Sequence, residues 1–170
     1  MNLDTFWNII ETTHWDSGGD NQTQFDLLVD LLIECSEAVI ITFDRVFNML
    51  MDDAYRADVW AAVSFAFNAD DESFANFRAW LVVQGREVFE SVLNNPDNLA
   101  DFMPDDLNDL FYESFAAAAP TAYEIKTGTE DAMPASTIPR YFKLVGQSFR
   151  PEDYPRVFPR LAAKLSTLNM

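Results

Sequence analysis

The sequence predicts an all-α fold: a single multi-helix domain with a proline-punctuated, mildly basic C-terminal arm packed on it. Three observations carry that prediction. Apolar side chains recur at alternating three- and four-residue spacing, as in Ile40, Phe43, Phe47, Leu50 and Ala54, which lines one face of a helix. No stretch sustains the strict alternation of a half-buried strand. The breaks between periodic stretches hold small acids, serine, glycine or proline, the residues that cap and stop helices. At 170 residues, 15 of them Phe, the chain suits one domain with a bulky core.

The first helix is expected from Thr5 to about Thr13, with Phe6, Ile9, Ile10 and Thr13 on one stripe and Asp4 as its cap; a loop follows from His14 to Asp20 around Gly18-Gly19. Gln22 to Cys35 carries Phe25, Leu28, Val29 and Leu32 on one face and Asp26, Asp30 and Glu34 on another, which must be solvated because like charges repel. Ser36 caps a third helix from about Glu37 to Tyr55, long enough to be a central strut. Val59–Phe67 and Phe74–Gln84 form the next pair; Asp70 or Asp71 caps the second, and Gly85 stands where it stops. Arg86 to Asn94 is halted by Asn95-Pro96. A short helical turn begins at Asp97-Asn98-Leu99. Pro104-Asp105-Asp106 starts a helix carrying Leu107, Leu110, Phe111 and Phe115, which Pro120 kinks or breaks before a further turn closes at Gly128. The acidic helical domain then spans residues 1–134 and the arm residues 135–170, where Pro151, Pro155 and Pro159 permit only short helical pieces and a last helix to about Leu168.

Arg78 is the anomaly. It takes the i+4 place of the stripe that begins at Phe74, where an apolar side chain is expected, so its charge needs a partner. Asp71 is seven residues back, roughly 10 Å along the axis, which leaves Asp52, Asp53 or Asp58. The bland reading is a structural ion pair between helices; the sharper one is an anion-binding arginine in a cleft. Tyr55, Trp60, Asp70, Asp71, Arg78 and Trp80 together make the candidate interaction or ligand site. For an enzyme, Asp70-Asp71-Glu72 with Arg78, joined by Glu87 and Tyr55, would bind a divalent cation or share a proton. Against this, the chain has no glycine-rich phosphate loop, nucleophile elbow, histidine pair or cysteine pair, so no catalytic residue, metal or cofactor is expected. His14 is the lone histidine and reads as a surface or interface residue; Cys35 reads as a buried apolar filler.

Charge separates the two parts of the chain. Residues 1–120 hold 23 Asp and Glu against 4 Arg, a net of −19, whereas residues 121–170 hold 5 acids and 7 bases, a net of +2. The acidic body disfavours nucleic-acid and anionic-membrane partners and steers a cationic protein toward itself, as an immunity or antitoxin protein would cover a basic active site. The arm interleaves Arg140, Lys143, Arg150, Arg156, Arg160 and Lys164 with Tyr141, Phe142, Phe149, Tyr154 and Phe158. Its aromatics are expected to plug the body and its bases to neutralise the acidic face, and swapping it between chains would make a homodimer. No apolar run approaches the roughly 18 residues of a membrane span, and Met1-Asn2-Leu3-Asp4 lacks the basic start of a signal peptide, so a cytoplasmic protein is expected.

The run from Trp60 through Asp70-Asp71, Phe74, Phe77-Arg78, Trp80-Leu81 and Gly85 to Asn95-Pro96-Asp97 resembles the core motif of a mostly bacterial family, domain of unknown function 4240. Phe6-Trp7, the series Phe43, Phe47, Leu50 leading to Ala54-Tyr55, and Ala122-Tyr123-Glu124 with Thr127-Gly128 and Pro134 are similar to its other landmarks. The chain departs from it at Phe67-Asn68-Ala69, where the family usually has a glycine, a small residue and a serine before the Asp-Asp pair. The resemblance implies a fold and no established activity.

Overall fold

Residues 1–104, 107–134 and 144–168 are described by the structure, a computed structural model. Six α-helices open the chain: α1 (Leu3–Asp16), α2 (Asn21–Glu34), α3 (Glu37–Asp53), α4 (Ala57–Phe67), α5 (Asp71–Val83) and α6 (Arg86–Asn94). The 3-10 turns Pro96–Asp101, Leu107–Phe111 and Phe115–Ala117 lead to α7 (Ala118–Thr127). In the arm, the turn Pro151–Asp153, α8 (Tyr154–Val157) and α9 (Pro159–Leu168) follow. The fold is all-α, with no strand among the described residues. An isolated parallel bridge joins Arg56 to Val145, where the Ala57 N–H donates to the Val145 carbonyl at 2.7 Å.

The shorter α5, and not α3, is the central helix. From Ala79 to Val83 every residue of α5 is buried, and a helix apolar all the way round is one enclosed by others. It packs against α1, α3, α6 and the 3-10 turns at 107–111 and 115–117. The longer α3 buries a single stripe of Ile40, Phe43, Phe47 and Leu50, because Asp44, Arg45 and Asp52 occupy its other faces. Buried Gln24 donates through Nε2 to the Val83 carbonyl at 2.8 Å, so a side chain of α2 satisfies one of the carbonyls that the last turn of α5 leaves open.

Several helix ends differ from expectation, each for a local reason. Asn2, and not Asp4, caps α1 by accepting from the Thr5 N–H at 2.8 Å; Asp4 lies in the first turn, where its charge complements the positive end of the dipole. Helix α1 also runs on through His14 and Trp15 to Asp16, so the loop is shorter than the glycines suggest. Ser36 stands at the N-cap of α3 without a side-chain bond there. The stretch carrying Leu110, Phe111 and Phe115 forms 3-10 turns in place of one helix, and Pro120 sits in the first turn of α7, where its missing N–H costs nothing, so it opens a helix and does not break one. Asp105 and Asp106, the expected start, lie outside the described residues, as do Arg140, Tyr141, Phe142 and Lys143.

The turn between α5 and α6 is made at Gly85, whose φ of 95° suits a residue without a Cβ; a Cβ there would meet Glu11 Cγ at 3.2 Å. The arm plugs the body as expected. Phe158 and Leu161 are fully buried, and Phe149 and Tyr154 pack on the same core. Among the described arm residues, Arg150 pairs with Glu152 and Arg156 with Asp153 inside the arm, while Arg160 reaches Asp101 on the body.

Candidate functional site

The sequence-selected residues fall into two groups. The end of α3, the start of α4 and the middle of α5 meet at one corner, and this brings Tyr55, Trp60, Phe74 and Arg78 together. The Arg78 guanidinium lies over the Tyr55 ring at 4.8 Å and the Phe74 ring at 5.2 Å, and its Nη1 donates to the Met51 carbonyl at 2.9 Å. Trp60 meets Phe74 edge to face at 4.4 Å. Met51 lies in the last turn of α3, so the arginine closes an otherwise open helix-end carbonyl while its flat cation rests on π faces.

Of the three carboxylates expected as partners, one is engaged by another arginine. Asp58 is held by Arg56, whose Nε and Nη2 donate at 3.0 and 2.6 Å. Asp53 is raised in pKa by partial burial and by the neighbouring Asp52 charge, the opposite of what pairing with an arginine does to a carboxyl. Among the contacts of Arg78, a carbonyl and two ring faces tie two helices together.

Asp70 and Asp71 are exposed at the first turn of α5, about two helical turns from Arg78. Asp70 is the N-cap: its Oδ1 accepts from the Ser73 N–H at 2.9 Å and from the Ser73 hydroxyl at 2.7 Å, and these bonds to the ionised form lower its pKa. Asp20 is lowered by the same kind of contact with Thr23 at the start of α2. Trp80 is only 2% exposed and packs on Phe77 at 5.7 Å, so it belongs to the core. Glu87 is exposed on α6. Among the described residues, no group of three or more His, Cys, Asp or Glu could hold a metal ion, and no helix is long and apolar enough to cross a membrane. His14 Nδ1 lies 3.5 Å from Gln24 Oε1, and Cys35 is half-buried with Sγ 3.5 Å from the Leu31 carbonyl.

Two features were not singled out by the sequence. Trp15, next to Asp16 at the end of α1, is 85% exposed. Asp97 is the charged residue buried most deeply among those described, at 4% exposure, and its carboxylate accepts from the Arg160 N–H at 3.1 Å to each oxygen and from the Leu161 N–H at 3.0 Å. It caps α9, a helix 62 residues further along the chain. Beside it, Arg160 donates to Asn98 Oδ1 at 2.7 Å and to both oxygens of Asp101. A cleft of about 220 Å³ lies between α4 and the arm, lined by Ala57, Trp60, Ala61, Leu144, Phe149 and Tyr154 among others. Only Asp97 was hinted at, by the Asn-Pro-Asp pattern, which reads locally as a helix stop.

The chain belongs to the family described as a protein of unknown function, DUF4240, which matches residues 1–125. No curated protein and no solved structure matches it.

Proposed function

We propose that this protein is a non-catalytic interaction module that binds a cationic protein. The observation that supports this reading is the way the body distributes its charge. Every described carboxylate of residues 1–120 except Asp97 lies wholly or partly at the surface. Three of the four arginines there are already engaged: Arg56 by Asp58, Arg86 by Asp4 and Glu90, and Arg78 by the Met51 carbonyl and two rings. The field that reaches solvent is therefore strongly negative, which accelerates encounter with a basic surface. Trp15 offers an anchor within it, since an exposed indole beside Asp16 can bury against a partner while surface carboxylates meet its cations.

The test is a pull-down from a producing cell at low salt, followed by calorimetry on the purified pair. A basic partner is expected, with affinity falling at least about tenfold between roughly 50 and 300 mM salt and on Trp15→Ala, and further on charge reversal at Asp16 and Asp71. Binding indifferent to salt and to all three positions, or recovery of no basic protein, would overturn the reading.

A further inference from the structure

We infer that the outer face at the end of α1 is a seat for an arginine side chain of the partner, with the Trp15 ring as its floor and the Glu11 and Asp16 carboxylates at its edge. The inference rests on the reading that the partner is a cationic protein, and it names the residue type and the place by which that partner is read.

The helix itself sets the seat. Asp4, Asn8, Glu11 and Trp15 follow one another at four, three and four residues, so they share one stripe of α1, and all four are exposed while Phe6, Trp7, Ile10 and Thr13 turn inward. Residues four apart on a helix have Cβ atoms about 5–6 Å apart, which makes Glu11 and Trp15 neighbours. A helical side chain also leans back toward the N-terminus, so the indole covers the turn that carries Glu11. Asp16 follows directly as the last residue of α1, where the carbonyl end of the dipole favours a cation. His14 is the base of this last turn, but its Nδ1 lies 3.5 Å from Gln24 Oε1 of α2, away from the outer stripe.

Charge and shape together name the occupant. The stripe already accepts the N–H groups of an arginine toward its other end: Arg86 donates from Nη1 to Asp4 at 3.2 Å and from its backbone N–H to Glu11 Oε1 at 3.3 Å. Glu11 Oε2 is the oxygen left to accept from a ligand, and among the described residues no base pairs with Asp16. The floor is bare as well, since Trp15 at 85% exposure is the most exposed large apolar side chain among those described. A guanidinium is flat and weakly hydrated, and of the aromatic rings an indole holds a cation best. The fold holds one guanidinium in this manner already, Arg78 over the Tyr55 and Phe74 rings with a carbonyl at its edge. A lysine would bring the charge without the stacking or the two-pronged bond to a carboxylate. The net charge of −17 draws cationic segments to this face and repels anionic ones.

The experiment titrates two peptides of equal length and charge into the full chain, one with arginine and one with lysine at every third position between Gly and Ser, at about 0.15 M salt. Binding is followed by NMR on the indole N–H signals of the 4 Trp, and Trp15→Leu identifies the Trp15 signal by its loss. The arginine peptide is expected to bind at least about threefold more tightly than the lysine peptide and to shift the Trp15 signal more than those of Trp7, Trp60 and Trp80. Glu11→Gln keeps an acceptor for the Arg86 N–H while removing the charge. That variant and Trp15→Leu should each erase the preference, read as equal affinity for the two peptides. Equal affinity in the wild type, or a preference for arginine that survives either substitution, overturns the proposal. A basic partner whose affinity falls with salt and on charge reversal at Asp71 but ignores Glu11→Gln and Trp15→Leu would sink the seat and leave the broader reading standing; arginine-selective binding at Trp15 with no basic protein recovered would do the reverse.

Discussion

At the level of single residues, Arg78 shows how the charge in an apolar stripe draws on more than carboxylates. Its place in an apolar stripe correctly demands compensation for the charge, but a guanidinium is flat and weakly hydrated, so ring faces and a helix-end carbonyl can serve where a lysine would need anions. Arg78→Lys keeps the charge and loses the plane, and is expected to cost about 1–2 kcal/mol, read as a lower urea midpoint at unchanged slope. A midpoint within error of wild type would mean the stacking contributes nothing. Asp97 and Trp15 mark the other limit of residue-level reading. Nothing near Asp97 in sequence announces a helix that begins at Pro159, and nothing near Trp15 says that its ring stays in solvent while the other three tryptophans pack inward or against neighbours.

For whole elements, the sequence reading was most secure where the cause is local. The acid before α5 is a cap because its carboxylate reaches an amide three residues ahead, a relation contained within one turn. Its pH consequence follows from the lowered pKa of Asp70. The folded value lies below the unfolded one, so the stabilisation is fully present above the ordinary carboxylate range near pH 4 and is lost as pH falls through the folded value. Asp70→Asn keeps an acceptor that does not titrate, so helicity followed by circular dichroism should fall less steeply with acid than in wild type; Asp70→Ala should lose the cap at every pH. An Asn variant that melts in acid just as wild type does would show that other carboxylates dominate. The elements misjudged, the 3-10 turns at 107–111 and 115–117 and the start of α7, lie where apolar residues have helical spacing but must fit around α5, and packing there overrides propensity.

For the whole molecule, the formal charge of −17 sets a cost and a capacity. Like charges on the body repel one another, and with Arg56, Arg78 and Arg86 engaged locally few cations remain to offset them. Raising monovalent salt from about 0.01 to 0.15 M shortens the screening length from roughly 30 to 8 Å, and the melting temperature is expected to rise by several degrees. A fall would mean that attractive pairs outweigh the repulsion. The same field underlies the proposed recognition of a cationic protein, so stability should rise with salt while partner affinity falls.

The sequence by itself determined the all-α class, most helix positions, the acidic character of the body and the arm's aromatic plugs, because periodicity, caps and net charge are properties of short stretches or of simple sums. Only the tertiary structure decided that α5 is the enclosed helix, that Arg78 rests on rings and a carbonyl, and that Asp97 caps α9 from across the fold. Those outcomes depend on which groups distant in sequence arrive within hydrogen-bond or van der Waals reach, and that is settled by packing the whole chain at once.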